Sequence, residues 1–97
     1  MTVLLERSDF TIREGAEADF SAAMVERGLP ILRAVPGASL VQFGRGVERP
    51  SAFMLLVAWE SMDAHKTYNT TQACQDIRAL IGGFATGGAM EHFEMEG

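Results

Sequence analysis

Two histidines and three nearby polar or aromatic residues are the side chains of this sequence best suited to chemistry. His65 and His92 are its only histidines, and imidazole is the side chain that exchanges a proton near neutral pH. Trp59 lies shortly before His65, and Tyr68 and Asn69 follow within about one helical turn. The group is therefore a candidate site for moving a proton on a bound molecule.

Each of the candidate reactive residues also has a purely structural interpretation. His65 can act as a base, or it can fix a strand–helix junction by hydrogen bonding to Glu60 or a backbone carbonyl. Trp59 can stack on a flat ligand or donate its indole N–H to an oxyanion, or it can fill the core. His92 is either a second acid–base group or an interface residue.

Four further residues are expected to line a pocket. Tyr68 and Asn69 can hydrogen-bond a substrate oxygen, or Tyr68 can half-bury its ring while Asn69 ends a helical segment. Phe43 and Phe84 can provide flat apolar contacts. Most of the six phenylalanines are nevertheless expected in the core, so this assignment competes with simple packing.

The sequence lacks the motifs of metal, nucleotide and acyl-transfer sites. His65 and His92 have no third ligand at a suitable spacing. Cys74 is the only cysteine, which excludes an intrachain disulfide. The glycines of residues 82–88 follow a helical pattern, whereas a phosphate loop follows a strand, and no serine nucleophile elbow is present. We therefore expect no metal and no cofactor.

Composition narrows the class of protein further. The chain has 97 residues, a net charge of −5 and 47% apolar residues, which excludes intrinsic disorder and disfavours nucleic acid or an anionic membrane surface as a partner. The longest apolar run, residues 52–59, is too short to span a membrane. The apolar stretch at the start of the sequence meets a charged residue too early to be the apolar segment of a signal peptide. We expect a single domain over residues 1–97, located in the cytoplasm.

The elements that position the candidate residues follow from hydrophobic periodicity. Strands are predicted at residues 2–12, 38–48, 52–60 and 89–95. Apolar residues at three- and four-residue steps predict a helix from Ala16 to Val35, which Pro30 should kink or break near residues 26–29. Ser61 is a predicted cap of a second helix, with an interruption at residues 69–71 before Thr71 caps a continuation that ends at Gly82. The glycines of residues 82–88 predict a connector.

The order β-α-β-β-α-β predicts an α+β, ferredoxin-like subunit, in which both helices pack on one face of an antiparallel sheet. The third strand, residues 52–60, is apolar on both faces. A strand covered on one side should alternate apolar and polar residues. Long side chains over a central strand would explain this pattern, but we favour a second copy of the chain packed sheet against sheet.

Three segments resemble the antibiotic biosynthesis monooxygenase family of the dimeric α/β-barrel superfamily. Residues 44–65 contain Trp-Glu-Ser-x-x-Ala-His, which is typical of the family after the third strand. The Val-Pro-Gly of residues 35–37 and the stretch from Ala79 to Phe84 leading to residues 90–93 also agree. The resemblance covers nearly the whole chain.

The resemblance implies a homodimer whose two sheets form a barrel, with a pocket between sheet and helices in each subunit. Monooxygenase members oxidise small aromatic, polyketide or quinol-type molecules with dioxygen, without metal or flavin; His65 would be the base here. A polyketide cyclase or isomerase using the same pocket, and a non-catalytic small-molecule-binding dimer, are the alternatives. Haem-degrading relatives pair a Trp and a His with an Asn of the first strand. The resemblance therefore disfavours haem here, because the first strand offers no Asn and the gap from Trp59 to His65 is shorter than in those relatives.

Overall fold

The computed structural model describes residues 3–97 as one antiparallel sheet with helices packed on one face. Its elements are β1 (Val3–Ile12), α1 (Glu17–Ala23), a π-helical segment (Met24–Gly28), α2 (Leu29–Arg33), β2 (Ala38–Arg45), β3 (Ala52–Trp59), α3 (Met62–Tyr68), α4 (Gln72–Gly82) and β4 (Ala85–Met95). The strands lie in the order β2-β3-β1-β4. This confirms the ferredoxin-like α+β fold. Thr2, the predicted start of the first strand, lies outside the described residues.

Pro30 shapes the first helical region. The chain winds as a π-helix over Met24–Gly28, directly before α2, in which Pro30 occupies the first turn. Proline lacks an N–H donor and clashes with the preceding turn, and a wider turn accommodates both effects. The predicted irregularity near residues 26–29 is confirmed, although the helix widens there and does not break.

The second helical region divides where the sequence predicts. Ser61 Oγ accepts the backbone N–H of Ala64 at 3.0 Å, and Thr71 Oγ1 accepts that of Cys74 at 3.3 Å. These two caps begin α3 and α4. No helix among residues 3–97 is both long and apolar enough to cross a membrane.

The main error of the sequence prediction lies at the start of the last strand. β4 begins at Ala85, not at residue 89, because it pairs with β1 along its whole length, including Phe10 opposite Gly88. A side chain at Gly88 would place its Cβ 2.9 Å from the carbonyl oxygen of Asp9. Glycine is thus needed there for close strand pairing and not for a loop. β2 and β3 are also shorter than predicted, ending at Arg45 and Trp59.

The two faces of the sheet have different surroundings. The face under the helices holds the core, in which Phe20 is fully buried among four other phenylalanine rings at centroid distances of 5.0–6.4 Å. On the opposite face, Val3, Met54, Phe93 and Met95 are exposed in the single chain. Four large apolar side chains therefore remain uncovered where the sequence predicts a contact between sheets.

Candidate functional site

A cavity of about 550 Å³ lies between the sheet and helix α4. Ile77 and Ile81 of α4 form part of one wall, and Phe10, Leu55 and Val57 of the sheet form part of the other. Residues 85–89 of β4 also line the cavity. Their side chains are small, so the space between β4 and α4 stays open. The volume and the apolar wall suit a small, flat organic molecule.

Polar groups meet the cavity at a few defined positions. Glu6 and Ser8 come from β1, Tyr68 and Asn69 from the end of α3, and Arg78 from α4. Glu6 and Ser8 are buried, whereas Arg78 and Asn69 are exposed. A ligand would thus meet a buried carboxylate inside the cavity and a guanidinium nearer to solvent.

Glu6 forms a cluster with the two histidines, in which Glu6 and His65 are buried and His92 is half-buried. Glu6 and His92 are directly opposite each other on β1 and β4, so their side chains share the helix-covered face. His65 reaches the same point from α3, which places its Nε2 3.1 Å from Nε2 of His92. Trp59 Nε1–H donates a hydrogen bond of 2.8 Å to Glu6 Oε1. Residues distant in sequence therefore converge on one carboxylate.

The two ring nitrogens of His65 have different neighbours. Nε2 lies 3.1 Å from Nε2 of His92 and 3.5 Å from the Asn69 amide nitrogen. Nδ1 is buried, has no hydrogen-bond partner among the described residues and lies 3.6 Å from Glu6 Oε1. Nδ1 therefore faces the carboxylate across a gap longer than a hydrogen bond.

Burial controls the protonation of the two titratable side chains of α3 at this site. The pKa of His65 is lowered mainly by burial; the Glu6 carboxylate opposes this shift, and His92 adds to it. Burial also raises the pKa of Tyr68. His65 is accordingly neutral near pH 7, and the Tyr68 hydroxyl keeps its proton and can donate a hydrogen bond.

The structure brings most of the sequence-predicted site residues together. Tyr68 and Asn69 line the cavity, while His65 and His92 lie directly behind Glu6 and do not line it themselves. Trp59 is only 1% exposed. Its indole N–H is taken up by Glu6, so Trp59 fills the core and orients the carboxylate.

Phe43 and Phe84 lie apart from this cavity. Their ring centroids are 5.8 and 5.5 Å from that of Phe20, in the aromatic core. Phe43 also contributes to a second, shallower depression over β2 and β3. Neither ring is among the residues that line the main cavity.

Sequence reasoning missed Glu6, Ser8 and Arg78. The available signal was the alternation of β1, in which Glu6 and Ser8 share the face of Leu4 and Phe10 that the helices cover. Glu6 also invalidates the reason for discounting a metal. Its carboxylate and one nitrogen from each histidine lie within 4.8 Å of one another, so the histidine pair does have a third potential ligand.

Comparisons with known proteins agree with this fold. Residues 7–80 match the family described as antibiotic biosynthesis monooxygenase. A candidate antibiotic biosynthesis monooxygenase from Bordetella bronchiseptica is 28% identical, with a TM-score of 0.86 and 99% of each chain covered. SnoaB, a cofactor-independent oxygenase from Streptomyces nogalater, is 15% identical with a TM-score of 0.85, covering 100% of this chain and 96% of SnoaB. No curated protein sequence matches the chain. Because the family match spans most of the sequence, the chain belongs to the antibiotic biosynthesis monooxygenase family.

Proposed function

We propose that the protein is a cofactor-independent monooxygenase that oxidises a small aromatic, polyketide or quinol-type molecule with dioxygen. The observation that carries this proposal is the apolar cavity with one buried carboxylate in its wall, backed by two imidazoles. An electron-rich phenol fits such a site, because its ring contacts the apolar wall while its hydroxyl reaches the carboxylate. The family membership supports the same reaction class, as does the likeness of the fold to SnoaB, a cofactor-independent oxygenase.

In the first step, the Glu6–His65–His92 cluster removes the phenol proton. Glu6 is the member of the cluster that lines the cavity, and His65 Nδ1 lies 3.6 Å behind its carboxylate. A proton accepted at Glu6 passes to Nδ1 of His65 as the two groups close, and His65 passes its Nε2 proton to His92 through the contact between the two Nε2 atoms. His65 keeps its proposed role as part of the base, and Trp59 holds the carboxylate in place.

The substrate supplies all the electrons in the oxidation. The phenolate transfers electrons to dioxygen, a ring C–H carbon forms a bond to oxygen, and that carbon becomes a carbonyl as the O–O bond breaks. One oxygen atom enters the product and the other leaves as water, which balances the four electrons that the substrate loses. Tyr68, Asn69 and Arg78 line the cavity and orient the substrate oxygens; the water-poor wall limits side reactions.

We also propose that the functional unit is a homodimer formed by the open faces of two sheets. Val3 pairs with Met95, and Leu5 pairs with Phe93, so apolar side chains of adjacent strands lie together on this face. Met54 of β3 extends the surface. A second copy would cover this face while leaving the helix-side cavity accessible.

Oxygen uptake tests the proposed reaction. EDTA-treated protein is incubated with a panel of anthrols, quinols and polyketide phenols in an oxygen-electrode cell, and the products are identified by mass spectrometry. We expect one oxygen molecule consumed per product molecule. Glu6→Gln and His65→Gln should each lower turnover by about 10²–10⁴-fold while ligand binding persists.

Glu48→Gln is the matched control, because Glu48 is an exposed carboxylate in the turn between β2 and β3, outside the strands and the cavity lining. It should leave turnover unchanged. Turnover without oxygen uptake would contradict the monooxygenase and identify a cyclase or isomerase. Tight binding of the panel with no turnover would instead identify a non-catalytic binding dimer.

A further inference from the structure

We propose that Glu6, His65 and His92 form a binding site for a divalent transition-metal ion of the zinc type. One carboxylate oxygen and one nitrogen from each imidazole lie within 4.8 Å of one another. Two imidazoles and one carboxylate are a recurrent three-ligand set for zinc, with water as the fourth ligand. The inference goes beyond the proposed function, because binding is measured without turnover.

The distance between the histidines fits coordination of a single ion. Their Nε2 atoms are 3.1 Å apart, and two nitrogens each about 2.1 Å from one ion at that separation subtend an angle of roughly 95–100°. This angle lies between the octahedral and tetrahedral values. The Glu6 carboxylate must approach by a side-chain movement, because the three ligand atoms lie within 4.8 Å of one another, whereas two ligand atoms of one ion lie at most about 4.2 Å apart.

Nδ1 of His65 faces the Glu6 carboxylate from the other side of the ring from Nε2. The side chain is only 5% exposed, yet Nδ1 has no hydrogen-bond partner among the described residues. A buried polar nitrogen without a partner is uncommon in a folded chain. With an ion on Nε2, the ring proton lies on Nδ1 and faces Glu6, and a carboxylate in this position orients a metal-bound histidine.

The surroundings of the cluster are those of a supported metal site. Trp59 Nε1–H already holds Glu6 Oε1 at 2.8 Å, which leaves Oε2 available as a ligand. Glu6 and His92 project from paired strands, so the separation of their backbones is set by the sheet. Hydrogen bonds that fix ligand orientation typically improve metal affinity about 10–100-fold.

Metal occupancy and the proposed proton transfer use the same electron pairs. A bound ion prevents the cluster from accepting a proton, so zinc should inhibit the proposed reaction and EDTA should restore it. This part of the inference rests on the proposed function. The binding itself does not, and therefore it is tested separately.

The experiment is a calorimetric titration of the EDTA-treated, buffer-exchanged 97-residue chain with zinc chloride alone. We expect one zinc ion per chain. His92→Gln, which preserves side-chain bulk on a half-buried strand position, should weaken binding at least about 10-fold. Glu91→Gln, on the other face of β4, should bind zinc as the unmodified chain does. Circular dichroism establishes that each variant is folded.

Two results would overturn the metal site: no stoichiometric zinc binding to the unmodified protein, or unchanged affinity in both His92→Gln and His65→Gln. These are the only two histidines of the chain, so any histidine-dependent zinc binding must involve the cluster. Zinc binding in a protein that oxidises none of the panel would support the metal site and leave the proposed reaction refuted for that panel. Oxygen-consuming turnover without zinc binding would support the proposed reaction and refute the metal site.

Discussion

The hydrogen bond from Trp59 to Glu6 holds the buried carboxylate in place. The substitution Trp59→Phe removes this hydrogen bond. The donor and acceptor atoms are 2.8 Å apart, and Trp59 is 1% exposed. A hydrogen bond to a charged group contributes about 1.5–3 kcal/mol, and the void left by the smaller ring costs about 1 kcal/mol more. We therefore expect the free energy of unfolding to fall by about 3 kcal/mol, which lowers Tm by about 12–24 °C in a domain of this size.

Urea denaturation followed by far-UV circular dichroism measures this loss at one fixed protein concentration, because association changes apparent stability. Glu6→Gln keeps an amide oxygen for the indole N–H and should cost no more than about 1 kcal/mol. Glu48→Gln, in the exposed turn between β2 and β3, is the reference and should stay within about 0.5 kcal/mol. If Trp59→Phe cost no more than Glu48→Gln, the claim that this bond anchors the carboxylate would be refuted. Equal losses in Trp59→Phe and Glu6→Gln would also refute it.

Four further substitutions give distinct expected results. Tyr68→Phe removes the hydroxyl of a buried residue that lines the cavity and should weaken calorimetric binding of a phenolic ligand about fivefold, the value of one neutral hydrogen bond. Gly37→Ala should lower stability by about 1–3 kcal/mol in thermal unfolding, because φ is +83° and a Cβ would lie 2.7 Å from that of Ala64. Gly82→Ala should be neutral or stabilising by up to about 1 kcal/mol, because no atom of residues 3–97 outside its own helical turn lies within 4 Å of its Cβ. Phe93→Glu should shift the mass in light scattering from a dimer to about 10.5 kDa; a persistent dimer would contradict the sheet-to-sheet interface.

The elements with strong local signals were predictable from the sequence. Ser61 and Thr71 are hydroxyl caps followed by helical periodicity, and both caps form as expected. Pro30 predicts an irregular turn because it removes a backbone donor. The π-helical form of that turn was not predictable, because an extra residue in the turn and a break both accommodate proline, and packing selects between them.

Glu6 was not identified because its role depends on long-range contacts. A glutamate in a strand is ordinarily solvent-exposed, and no neighbour in sequence distinguishes this one. Its partners come from the far end of β3, the middle of α3 and β4, and sheet register alone places His92 opposite it. The histidines could be selected from the sequence by residue type, but the group that connects them to the cavity required the fold.

The start of β4 explains both the main error in the fold prediction and the presence of the cavity. Glycines at residues 82–88 indicate a connector when only local propensity is considered, since glycine weakens strands. In the sheet, Gly88 lies opposite Phe10, and its missing side chain permits close pairing with β1. The same absence of side chains leaves space between β4 and α4 that larger residues would fill. The residues that obscure the strand in the sequence are therefore the residues that make room for a ligand beside Glu6.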